Sequence, residues 1–126
     1  MGASEVTDPR TSGPDEIDRG GVSDLQTVAE GLLRDAHHQP ARRAARTIIA
    51  STSMRTTVIA LLAGAEMNEH VSPPVASLQV ITGDVRLTVG DTEQPVRAGE
   101  IVRIPAQRHG LVADTDAVVL LTVALH

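Results

Sequence analysis

The stretch Gly64-Ala-Glu-Met-Asn-Glu-His70-Val-Ser72-Pro-Pro-Val-Ala76-Ser-Leu78-Gln79-Val-Ile-Thr-Gly83 decides the reading of the fold. A polar approach to a histidine, a rigid Pro73-Pro74 turn and a β-branched run closing on glycine have no helical period. Downstream, Val85, Leu87 and Val89 alternate with Arg86 and Thr88, which sets one face of a strand inward and one in water. Thr82-Gly83-Asp84 and Val89-Gly90-Asp91 put turn residues where the chain must reverse. A second stretch, Gly99-Glu-Ile-Val-Arg-Ile-Pro105-Ala-Gln-Arg-His109, again runs from glycine through a short apolar segment to proline and histidine.

Strands are predicted at 47–50, 56–62, 78–81, 85–89, 101–104, 111–113 and 117–125. Short strands with turns between them and no helical pattern indicate a sandwich or barrel. The last strand, Ala117-Val-Val-Leu-Leu121, is apolar on both faces, so its second face needs cover from a helix or another subunit. Upstream, Leu25, Val28, Ala29, Leu32 and Ala36 have helical spacing, and Ser23 with Gln26 forms a capping-box pattern, predicting a helix over 24–37. Gly31 within it costs about 1 kcal/mol relative to alanine, so this helix needs a surface to dock on. The Arg42, Arg43 and Arg46 run reads as a solvated connector rather than an anion patch. Residues 1 to 21, poor in large apolar side chains, read as a disordered tail. The division is therefore tail 1–21, helix and linker 22–45, and barrel 46–126.

Composition narrows the chemistry. Of 126 residues none is Cys, Phe, Tyr or Trp, so disulfides, thiolate ligands, cysteine nucleophiles, base-stacking platforms and aromatic cation cages are all excluded. A core of Val, Ile, Leu, Ala and Met gains about 1.5 to 3 kcal/mol for each larger side chain it buries, and any pocket in it is aliphatic. Every cationic side chain is arginine, which removes Schiff-base chemistry. The formal charge of -5 disfavours nucleic acid as a partner. No apolar run is long enough to span a bilayer and no secretory layout opens the chain, so the expectation is a cytoplasmic protein without membrane partners.

The two quoted stretches resemble the paired motifs of the cupins, and the resemblance extends over roughly residues 56 to 124. It implies an all-β cupin-type barrel, that is, a double-stranded β-helix or jelly roll, here with one N-terminal α-helix. In metal-binding cupins two histidines and a glutamate of the first motif and one histidine of the second hold the metal. Carried over, His70 matches the first histidine and His109 the last, whereas Ser72 stands in place of the second histidine and Ala76 in place of the glutamate. The proline-to-histidine step is also one residue shorter than usual.

The resemblance implies a pocket containing Ser72, Ala76, Leu78 and Gln79, with His70 and His109 as metal ligands and Glu66 or Glu69, from the loop before His70, as a substitute carboxylate. Imidazole and carboxylate donors suit Fe, Mn, Ni, Cu or Zn. Glu66 and Glu69 also read simply as solvated acids, and alternation places Gln79 opposite Ala76. His37 and His38 complement the helix dipole at its C-terminus, and His126 is terminal. No nucleophile-elbow pattern surrounds Ser72. Three functions follow: a cupin binding a small molecule, with a divalent metal weakly held; a metal-dependent oxygenase or isomerase; or a regulatory or interaction module. No organic cofactor is indicated. A homodimer and a docked helix account equally for the doubly apolar last strand.

Overall fold

The computed structural model describes residues 21–70 and 75–125. The expected tail falls outside these residues apart from Gly21, as do Ser72, Pro73, Pro74 and His126. One helix, α1 (Leu25–Ala36), precedes nine strands: β1 (Arg43–Ala50), β2 (Met54–Leu61), β3 (Glu66–His70), β4 (Ala76–Thr82), β5 (Asp84–Val89), β6 (Thr92–Arg97), β7 (Ile101–Arg103), β8 (His109–Ala113) and β9 (Ala117–Ala124). They form a five-stranded sheet, β1-β2-β9-β4-β7, and a four-stranded sheet, β3-β8-β5-β6, in which neighbours pair antiparallel. The inner faces close on one aliphatic core that includes Ile59, Leu61, Leu78, Val80, Val85, Leu87, Leu111 and Val119. No helix among the described residues is long and apolar enough to cross a membrane.

The chain passes from one sheet to the other at Gly83, between β4 and β5. Its φ is +84°, and a Cβ there would overlap the carbonyl oxygen of Asp116 and lie 2.8 Å from the Ala117 Cα. Only glycine meets both conditions, the left-handed backbone and the close approach. Gly90, at φ +57°, turns the β5–β6 hairpin, where the Thr92 hydroxyl donates to the Val89 carbonyl over 2.7 Å. Across the same sheet Arg86 donates to Asp114 at 2.8 Å and pairs with Glu93 at 3.0 Å. The bond to Asp114, then that to Glu93, holds the Arg86 guanidinium above its ordinary pKa.

The helix forms where its apolar spacing predicts, with a different cap. Asp24, not Ser23, occupies the N-cap: its carboxylate accepts from the backbone N–H of Gln26 at 3.1 Å and of Thr27 at 3.4 Å. A carboxylate serves this position well, since it satisfies orphan donors and complements the positive end of the helix dipole. The buried face, Val28, Ala29 and Leu32, packs with Ile48, Val58, Ala60 and Val118 on the outer side of the five-stranded sheet. That contact answers the need of the last strand: Val119 faces the barrel core, while Val118, and beside it Leu120, face the helix.

The expected connector is a strand from Arg43 onward. β1 begins at Arg43 and pairs with β2 from Arg43 opposite Leu61 onward. The Arg42 guanidinium donates to the Ala63 carbonyl and that of Arg43 to the Glu66 carbonyl, each at 3.0 Å, so this run pins the β2–β3 segment. Two strands lie where none was predicted. β6 carries Pro95 and buries only Val96, a composition tolerated because β6 is an edge. β3 occupies the segment read as a loop before His70.

Candidate functional site

The site is built on β8 and β3, adjacent in the four-stranded sheet. Along β8, Leu111 and Ala113 belong to the interior core, and His109, in phase with them, is only 4% exposed. Its Nδ1 lies 3.0 Å from the Gln107 carbonyl oxygen. A carbonyl only accepts, so Nδ1 is the donor and, in the neutral ring, Nε2 carries the lone pair. Among the described residues His109 and Thr56 are the buried polar side chains, and Thr56 bonds the Thr122 hydroxyl at 3.3 Å.

β3 pairs with β8 through Glu66 opposite Val112 and Met67 opposite Leu111, then shifts register before His70 opposite His109. An unbroken ladder would set Glu69 against His109; the extra residue substitutes His70. The bulge therefore sets the backbone of position 70 directly opposite that of His109. The two sequence-predicted histidines are thus cross-strand neighbours in the backbone.

The other predicted positions divide. Ala76 and Leu78 are buried in the barrel core. Gln79 is exposed on the opposite face of β4 and is not part of the interior. Glu66 is exposed and directed away from the core, in a strand rather than a loop, and only its main-chain carbonyl is engaged, by Arg43. The backbone of Glu69 belongs to β3 and Ser72 falls outside the described residues. Two features escaped the sequence reading. Met67 packs against the core on the inner face of β3, and the Gln107 carbonyl orients His109. Met67 could have been found by placing a strand at 66–70; a backbone carbonyl leaves no sequence signal.

The full metal set of the cupins does not fit this interior. The glutamate position is a buried alanine methyl, Glu66 faces outward, and no cluster of three or more His, Asp or Glu side chains forms among the described residues.

No family model matches the sequence, and no curated protein matches it. Solved structures do. The chain superposes on a cupin superfamily protein from Desulfitobacterium hafniense with a TM-score of 0.63, at 12% identity over 67% of this chain and 78% of that one. The fold is a cupin fold. An RmlC-like cupin from Desulfovibrio desulfuricans matches with a TM-score of 0.61 and 24% identity over 66% of this chain and 82% of its own. A conserved protein of unknown function from Streptococcus pyogenes matches with a TM-score of 0.66 and 24% identity over 90% and 94%.

Proposed function

We propose that the protein binds a small organic molecule inside the barrel, with His109 as polar anchor, and that His70 and His109 hold a divalent transition metal there only weakly. The observation that carries this reading is His109 itself: an imidazole buried beside an otherwise aliphatic core. Burying a polar group costs free energy even when one of its atoms is bonded, so its presence there points to recognition rather than stability. Imidazole nitrogen is a ligating atom suited to a ligand hydroxyl or amide group and to a transition-metal ion, and the Gln107 carbonyl fixes the orientation of the ring. Aliphatic walls favour a ligand body without charge.

A doubly charged ion between two neutral imidazoles keeps most of its water shell and gains no charge compensation, hence the weak affinity. The oxygenase or isomerase alternative needs a carboxylate on the inner face from Glu66 or Glu69, and Glu66, which is exposed, does not supply it. The interaction-module alternative loses the apolar face of the helix and the Val118 and Leu120 part of the last strand as partner surfaces, because they cover each other.

Untagged protein purified without added metal tests the reading by elemental analysis and native mass spectrometry. Sub-stoichiometric metal is expected, with Ni2+ binding reversibly and lost in both His70→Ala and His109→Ala. One metal per chain that survives dialysis against a chelator would favour the enzyme instead.

A further inference from the structure

The outer face of the five-stranded sheet is only half covered. Beyond α1 it carries a groove of about 640 Å³ whose lining includes Met54, Val75, Ser77, Ile101, Arg103 and Thr122. Met54, Val75 and Ile101 are 37%, 59% and 65% exposed, and they are three of the five exposed large apolar side chains among the described residues. Scattered single apolar side chains on a surface need no explanation, but three around one concavity do.

The registers order the groove floor. Thr122 lies opposite Ser77 and Ser77 opposite Arg103, so a row of two hydroxyl groups crosses β9 and β4 and ends on β7 at a guanidinium. Met54, opposite Ala124, flanks the row on one side, and Ile101, opposite Gln79, flanks it on the other. Arg103 is exposed, no acidic side chain among the described residues pairs with it, and it is the one charged side chain lining the groove. In a chain of net charge -5, that cation at the end of an apolar trough is complementary to an amphipathic anion.

We propose that this groove binds a medium-chain carboxylate, the carboxylate on Arg103 and Ser77 beside Ile101 and the acyl chain running over Val75 toward Met54. Arginine presents a fork matched to a carboxylate, and the Ser77 hydroxyl is a donor beside it. Four strands span about 14 Å at about 4.8 Å per spacing, the length of an acyl chain of roughly ten carbons. The groove volume lies in the range of small-molecule sites. It lies on the outside of the barrel and does not depend on His109.

Titration of the full chain with decanoate, below the concentration at which it forms micelles, by calorimetry and by backbone amide NMR, tests the proposal. One saturable site is expected, with shifts at residues 54, 75–77 and 101–103, weakened about tenfold by Arg103→Gln and by Ile101→Asp and unchanged in His109→Ala. Decanol should bind about tenfold more weakly than decanoate. Three results would overturn the proposal: no saturable binding; equal affinity for decanol and decanoate with no effect of Arg103→Gln; or a dimer in sedimentation that Ile101→Asp dissociates and that excludes decanoate, which would make the groove an interface between copies of this chain.

Discussion

At the residue scale, two positions separate what function requires from what the fold requires. His109→Leu removes a buried polar ring and leaves the Gln107 carbonyl to find another donor, two effects of similar size and opposite sign. Stability is expected to change by less than about 1.5 kcal/mol in urea unfolding, while Ni2+ binding disappears. A loss of 4 kcal/mol or so would mean that the histidine is structural. Gly83 should behave in the opposite way. Gly83→Ala places a Cβ on the Asp116 carbonyl in a left-handed backbone and is expected to cost about 3 kcal/mol or more. Gly64→Ala, at φ +85° but with nothing within 4 Å, isolates the backbone component and should cost only about 1 kcal/mol.

At the element scale, α1 acts as part of the barrel rather than as an appendage. Leu32, 2% exposed, is central to the helix-to-sheet contact, and Leu32→Ala is expected to lose about 2 to 5 kcal/mol. Asp24→Ala removes the cap and should lose about 1 kcal/mol, measurable in the same unfolding assay. Removal of residues 1–38 would uncover Ile48, Val58, Ala60 and Val118 together, so the shortened chain is expected to self-associate in sedimentation. If it keeps the assembly state and solubility of the full chain, the helix is not what satisfies the outer face of β9. The β3 bulge is the second element with a consequence for the site, since one extra residue decides which backbone position of β3 lies opposite His109.

At the scale of the whole molecule, the barrel was legible because several local signals agree. The alternation at 85–89, the glycines at 83 and 90 and the apolar face of the helix each fix one neighbour relation, and the structure shows all three. What stayed illegible has physical reasons. β6, with Pro95 and mostly exposed side chains, is defined by its partner β5 rather than by burial. The first half of β1, Arg43 to Arg46, lacks the β-branched residues that mark a strand and is drawn into the sheet by pairing with β2. β3 read as a loop because Met67 is its one large apolar residue. His70 and His109 were legible as two candidate residues, but not as partners in the backbone. Their opposition arises from a register shift, a property of two strands together that neither stretch of sequence encodes alone.

The central claim, that His70 and His109 form one site inside the barrel, is tested most directly by imidazole nitrogen NMR during titration with Zn2+. The account predicts that His109 starts as the Nδ1–H tautomer and that the His70 and His109 signals shift together, at concentrations where exposed His37 and His38 do not respond. Independent responses of His70 and His109, or a first response at His37 and His38 with none at His109, would contradict it.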